Sequence, residues 1–448
     1  SSNYKEFMKK SICFLGMLSL LFLTFSCVNN DDTSTSVVSE EAKITKFYLH
    51  SDSIKDIDDY VFTIDHDSML IYNRDSIAYG TRIDSLSFVL NPRFSSVYIN
   101  DTLDYYKLND VYLDFTDSVK FTVVAADKKT SADYRVQVNV HQVDPDTFVW
   151  KGINSEVFEG DALSAKAIFF GGKLIYMAVV NNKLLAYESE NGKDWSLILL
   201  AGIDANLMKL KLNYLVATEE YMFVYGDGKL YRSADAGVWT EFKTLGADIE
   251  NLLFAMENKV YAVAENGHVV RLDGSEWVDL GALPSKFPVE GAAVLTADAP
   301  SGKSRVFVVG GIDKEGNYLS SVWSSENGEY WSDMTGGKEQ FTPRAYAAVV
   351  QYADGLMLFG GHGMPENSIT NAKVVDDAQL FSKDFGLTWG EPKEKSKIGD
   401  LYLPRYEHSA VVTPEGYIYL IGGRTSANGT INDVWRGLNY ASLPGFKR

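Results

Sequence analysis

Ser382-Lys-Asp384-Phe-Gly386-Leu-Thr-Trp389 decides how the second half of this chain folds. The Asp384 carboxylate can accept hydrogen bonds from the backbone of a tight turn, and Gly386 supplies the positive φ that such a turn needs. The tryptophan then opens the next strand with a ring large enough to fill the gap between two packed sheets. Ser324-Ser-Glu326-Asn-Gly328-Glu-Tyr-Trp331 repeats the pattern, with Glu326 read as the acceptor. Ser233-Ala-Asp235-Ala-Gly237-Val-Trp239 reads as a copy one residue short, the stretch before Trp277 keeps only Gly274, and a looser copy ends at Trp195. Together with Trp150, these tryptophans recur every 38–58 residues, the length of a four-stranded propeller blade.

A second signature is interleaved with the first. Apolar runs end in Gly-Gly at Gly171-Gly172, Gly310-Gly311, Gly360-Gly361 and Gly422-Gly423, where a strand stops and the backbone must bend. The last copy reads His408-Ser-Ala-Val-Val, then Tyr417-Ile-Tyr-Leu-Ile-Gly422-Gly423-Arg424, then Asn432-Asp-Val-Trp435. It resembles a kelch repeat, as does Val308-Val-Gly310-Gly311 followed by Trp323, while the acidic turn resembles the Asp box of sialidases and other propellers. The two resemblances cover residues 148–448 and imply a fold without implying an activity.

The expectation is an all-β chain: a small immunoglobulin-like β-sandwich over residues 43–145, then a kelch-like β-propeller over residues 147–448. Six blades are counted, with inner strands starting near Ala165, Tyr214, Leu252, Gly291, Tyr346 and His408; seven stay open if His362 to Gln379 holds further strands. The sixth blade runs out after Trp435, so Thr147-Phe-Val-Trp150-Lys is expected to supply its outer strand and remove the free edge.

Ahead of these domains, residues 1–27 read as a lipoprotein signal peptide. Lys9 and Lys10 precede an apolar run from Ile12 to Phe25 that is too short for a permanent bilayer span, and Met8 is the expected start. Leu23-Thr-Phe-Ser26-Cys27 resembles a bacterial lipoprotein cleavage site, with Phe25 departing from the usual small residue. The resemblance implies lipid on Cys27 and a membrane as one partner. Cys13, within the leader, is the only other cysteine, so no disulfide is expected. Residues 28–42 are polar and read as a flexible tether, in which Asp31-Asp32 resembles the surface-export signals of gut Bacteroidetes lipoproteins. Within the sandwich, Val119, Phe121, Val123 and Ala125 alternate with polar positions, as do Tyr134, Val136, Val138 and Val140, which predicts a hairpin with one wet face. Further strands are expected at Tyr60–Ile64, Leu86–Leu90 and Val111–Phe115, and a linker at Asp144-Pro145-Asp146.

The net charge of −18 argues against nucleic acid as a partner, because no Lys/Arg cluster outside the leader offers a basic face to phosphates. Galactose oxidase shares the propeller, but its copper cofactor needs a tyrosine linked to a cysteine, which a mature chain without an internal cysteine cannot form. Sialidases need a tyrosine nucleophile, an arginine triad and a Phe/Tyr-Arg-Ile-Pro motif that is absent here. No cofactor and no metal are therefore assigned. Propeller sites gather where inner strands begin, which selects Arg344, Tyr346, Arg405 and Tyr406, with His362 in the longest inserted loop and Tyr402 on the next connection, as binding candidates. Glu290 and Glu407, with His408, are the catalytic candidates if a sugar lies between two carboxylates. Arginine and histidine at this kelch position more often tie blades together.

As a whole the chain resembles a family of Bacteroidetes surface lipoproteins with an N-terminal immunoglobulin-like sandwich and a C-terminal kelch or galactose-oxidase-like propeller. That resemblance implies an outer-membrane anchor facing the cell surface. It makes a non-catalytic binder of glycan or surface protein the first reading, with a glycan hydrolase or lyase, or a purely structural envelope protein, as alternatives; the oligomeric state is left open.

Overall fold

The computed structural model describes residues 41–142, 144, 147–298, 302–352, 355–364, 373–375, 377–426 and 429–439. The expected signal peptide, Cys27 and nearly all of the tether lie outside these residues, as do Pro145 and Asp146 of the expected linker. The described chain forms two compact units that change over between Asn139 and Val140, with residues 78–81 grouped in the second.

In the first unit a six-stranded sheet orders Phe62–Asp65, Leu70–Asn73, Ser131–Gln137, Val119–Val124, Ser96–Ile99 and Leu103–Asp104, and a separate pair joins Lys46–His50 to Ser87–Asn91. Leu70–Asn73 runs parallel to Ser131–Gln137. The alternation read in the sequence places Val119, Phe121, Val123, Tyr134 and Val136 in the core. There the Phe121 ring meets Phe47 and Phe88 edge-on at 6.1 and 4.9 Å, a geometry that adds to the gain from burial alone.

Two strand expectations fail here. Val111–Phe115 is no strand: Leu113 alone bridges to Leu86, and Asp114 turns the chain by accepting the Thr116 N–H at 2.9 Å. The strand containing Tyr134 stops at Gln137 because a side chain replaces the ladder. Buried Asn73 accepts the Asn139 N–H at 2.7 Å and donates to the Asn139 carbonyl at 2.8 Å.

Among the described residues the second unit holds six successive antiparallel sheets of three or four strands, with two further two-stranded ribbons. Their first strands are Ala162–Phe170, Val216–Ala217, Ile249–Met256, Ala293–Asp298, Ala348–Tyr352 and Ser409–Val412. These pack side by side in that order, the second through the adjoining turn Leu212–Tyr214, and the sixth returns to the first. The strands converge on a channel of about 670 Å³, where each contributes an alanine, Ala167, Ala217, Ala255, Ala293, Ala348 and Ala410, beside larger groups such as Lys166, Phe254 and Gln351. Phe148–Asn154 pairs with Val434–Asn439, Trp150 opposite Gly437, so the sixth sheet is completed from the other end of the domain as expected. The segment after Gly361 contributes a ribbon of His362–Gly363 with Lys373–Val374.

The tryptophan turns form as the sequence implies, with two corrections. In the Trp331 turn the acceptor is Asn327, whose side-chain oxygen takes the N–H groups of Glu329 and Tyr330 at 2.9 and 3.0 Å; Glu326 reaches outward to Arg305 instead. The Trp239 turn is not short. Its Asp235 takes two N–H groups at 2.9 and 2.8 Å, left-handed Ala236 stands where Gly192 and Gly328 stand elsewhere, and the Trp239 indole donates to the Ala236 carbonyl at 2.9 Å. The Asp384 copy is the longer one, because Phe385 and Gly386 are both left-handed.

Gly-Gly also serves two purposes. Gly171-Gly172 is a hairpin turn between the first two strands of its sheet. At the other three corners the pair follows the second strand, and there neighbouring sheets press close. A Cβ on Gly310 would lie 2.5 Å from the Arg344 carbonyl oxygen and one on Gly360 2.1 Å from that of Arg405.

Candidate functional site at the channel mouth

Three consecutive connections build one end of the channel by the same plan. Glu290, Ala345 and Tyr406 each form a bridge with the residue that follows the Gly-Gly corner of their own sheet: Ile312, His362 and Arg424. The next residues, Gly291, Tyr346 and Glu407, are all left-handed, with φ of 64°, 56° and 53°. They are also linked across sheets, since the Tyr346 N–H donates to the Gly291 carbonyl at 2.6 Å and the Glu407 N–H to the Tyr346 carbonyl at 2.8 Å. A tyrosine and a glutamate therefore occupy a conformation for which the preceding sheet uses glycine. Such strain costs on the order of 1–3 kcal/mol per residue and concentrates at functional positions.

The side chains converge. The Tyr346 hydroxyl donates to the Glu290 carboxylate, and the Arg424 Nε donates to Glu407 at 2.7 Å while its Nη2 holds the Ala162 carbonyl at 2.7 Å. The Tyr406 ring lies 4.7 Å from the His362 ring and 6.5 Å from that of Tyr346, and the Tyr318 hydroxyl meets His362 Nδ1 at 2.9 Å. The Tyr214 hydroxyl approaches the Gly291 N–H at 3.4 Å. Burial, reinforced by Glu290, pushes the Tyr346 phenol far above its ordinary range. Burial likewise raises Tyr214, Tyr318 and Tyr406. All four phenols keep their protons at neutral pH; Tyr346 donates to Glu290, and Tyr214 accepts from the Gly291 N–H. None is a ready nucleophile.

Of the residues selected from sequence, Glu290, Tyr346, His362, Tyr406 and Glu407 come together here. Arg344, Arg405 and Tyr402 do not belong to a binding surface. Arg344 is 1% exposed, donates to the Thr342 and Gly360 carbonyls at 3.0 and 3.1 Å, and pairs with Asp377 at 2.7 Å. Arg405 repeats this with Leu403, Gly422 and Asp433. Tyr402 is buried between the Arg405 guanidinium, 4.2 Å from its ring, and Trp435. A proline-arginine step before the first strands of the fifth and sixth sheets aims the arginine sideways into the sheet junction while the following residues turn to the channel. Tyr214 and Tyr318 were not selected from sequence, and Lys166 was not either, although a lone lysine in Ala-Lys166-Ala-Ile-Phe-Phe is a visible interruption of an apolar strand.

His408 is not an acid–base group of the mouth. It is 5% exposed, neither ring nitrogen has a partner among the described residues, and burial lowers its pKa to about 3, helped by Arg405 and Lys166. The folded protein thus keeps this imidazole neutral where the unfolded chain, near 6.5, takes up a proton. Its stabilising contribution is complete above pH 6.5 and is lost as the pH falls, at a rate approaching ~1.4 kcal/mol per pH unit. Urea midpoints of wild type and His408→Gln should diverge between pH 6.5 and about 5, with the variant losing less stability by ~1–2 kcal/mol. Parallel pH profiles would disprove the assignment.

The described residues contain no group of three or more His, Cys, Asp or Glu side chains placed to hold a metal ion. Residues 144–447 match the family model described as the DUF6242 beta propeller domain, and residues 29–138 match that of the DUF6242 N-terminal domain, a domain of unknown function. No curated protein matches the chain. Among solved structures the chain is similar to one titled "Structure of YjhT", at 14% identity and a TM-score of 0.49, over 63% of this chain and 96% of that one.

Proposed function

The chain belongs to the DUF6242 family, and from that footing we propose a non-catalytic binding protein that takes a glycan, or a sugar-like face of a surface protein, at the mouth of a six-bladed propeller. A rigid ring that carries its contacts on connecting loops suits binding or scaffolding. One observation carries the reading: Tyr346 and Glu407 are held in left-handed backbone positions that point a phenol and a carboxylate at one end of the channel. Protonated phenols beside fixed carboxylates offer the mixed donors and acceptors, on aromatic faces, that hydroxyl-rich ligands require. The immunoglobulin-like first unit acts as a spacer, and lipid on Cys27 anchors the chain in an outer membrane with the propeller toward the cell surface.

A glycan-array screen of the purified protein, with the same glycans assayed for reducing-end release, tests this reading. Binding without release is expected, weakened about 10- to 100-fold by Tyr346→Ala, since an unmatched buried hydrogen bond costs ~1–3 kcal/mol. Release that Glu407→Gln abolishes would replace the binder with a hydrolase or lyase working through Glu290 and Glu407.

A further inference from the structure

Lys166 lies midway along Ala162–Phe170 and is, among the described residues, the one charged side chain lining the channel, where the first strands of the other sheets present alanine and other apolar groups with Thr296 and Gln351. It also lines a smaller cavity of about 50 Å³ at the channel mouth, together with Asn213, Tyr214, Tyr346, Glu407 and His408. Burial lowers its proton affinity with no carboxylate pulling the other way, and among the described residues no ion pair or hydrogen bond satisfies its ammonium. The nearby carboxylates are taken, Glu290 by Tyr346 and Glu407 by Arg424. On the same cavity His408 is 5% exposed with two unpartnered ring nitrogens. Lys166 keeps part of its side chain open to the channel, but a cation withdrawn from bulk water is normally paired and buried polar atoms such as the His408 nitrogens are normally bonded, because leaving them bare costs free energy. An unpaired cation and an unbonded imidazole on one cavity lack what an anionic oxygen supplies. The cavity admits a group of a few heavy atoms and is far too small for a sugar ring.

We propose that Lys166, Asn213 and His408 form an oxyanion subsite at the floor of the channel mouth, so that the ligand carries a carboxylate or sulfate group on its sugar. The ammonium supplies charge, and the neutral imidazole and the Asn213 amide supply N–H donors. The identification of the ligand as a sugar rests on the proposed function above; the anion subsite itself rests on the unpaired groups.

The test measures reductive methylation of Lys166 by peptide mass spectrometry on the full chain, at constant ionic strength, with sodium glucuronate, glucose 6-sulfate or glucose as probe. One of the two anions should slow labelling saturably, about tenfold at ten times its half-saturating concentration, and which one does so separates carboxylate from sulfate. Glucose should leave the rate unchanged. The thermal shift given by the effective anion should disappear in Lys166→Met and persist in Lys166→Arg. Protection by neither anion, or equal protection by glucose, overturns the subsite. A silent glycan array with glucuronate still protecting Lys166 would remove the glycan reading and leave the subsite standing. Glycan binding through Tyr346 without anion protection would do the reverse.

Discussion

Arg405→Ala should lower the stability of the propeller by about 3–5 kcal/mol, the usual result of removing one partner from a buried ion pair. The guanidinium is 1% exposed and does four things at once. It donates to the Leu403 carbonyl at 2.9 Å and the Gly422 carbonyl at 3.1 Å, forks onto both oxygens of Asp433 at 2.5 and 3.3 Å, and covers the Tyr402 ring. Its loss strands two carbonyls and a largely buried carboxylate that keeps the Trp435 indole as donor at 3.0 Å. The stranded carboxylate dominates, because an uncompensated charge costs more than a lost neutral hydrogen bond. A second substitution, Asp433→Asn, should therefore recover part of the loss. Urea midpoints of the wild type, both single variants and the double variant check this. A double variant no more stable than Arg405→Ala would show that the lost carbonyl contacts, and not the charge, carry the effect.

Turn chemistry was legible in the sequence because it is local: a serine, an oxygen acceptor and a glycine within eight residues of a tryptophan can satisfy one another without help from elsewhere. The same window also misleads in the Trp331 turn. Glu326 aligns with Asp384, but the count that matters runs from the serine, and two residues on from Ser325 is Asn327. The closing strand at Trp150 was legible because the last repeat lacked a member and the first offered a spare. The candidate site was legible only in part. Gly291, Tyr346 and Glu407 share an offset from their first strands, and Glu290, Ala345 and Tyr406 share the one before it, so a repeat alignment finds them together. Tyr318, Tyr214 and Lys166 reach the same place from other turns and other sheets, and only closure of the ring brings them there. Arg344 and Arg405 share an offset too, yet one residue decides whether a side chain faces the channel or the junction. A left-handed residue sits between these alternatives, and position in the repeat does not reveal it.

Trp150→Ala should cost about 3 kcal/mol, at the low end for removing a large aromatic because the ring is only half-buried. The indole stacks on Phe148 at 5.6 Å, meets Phe359 edge-on at 5.7 Å and donates to the Ser396 carbonyl at 3.0 Å, so it joins the fifth and sixth sheets. Gly437 makes this fit, since a Cβ there would lie 2.6 Å from the ring. The consequence exceeds the contact energy. Phe148–Asn154 is the strand that covers Val434–Asn439, and once it peels away an unpaired edge is open to another chain. Trp150→Ala should thus combine a lower urea midpoint with concentration-dependent association on mild heating, seen by size-exclusion chromatography. Val149→Ala, at a residue 48% exposed on the same strand, should stay within about 0.5 kcal/mol of wild type and remain monodisperse relative to it. Equal behaviour of the two variants would mean that backbone pairing alone keeps the ring shut and that the tryptophan does not latch it. Destabilisation without association would mean that the ring opens elsewhere first, at a junction between sheets and not at the seam where its two ends meet.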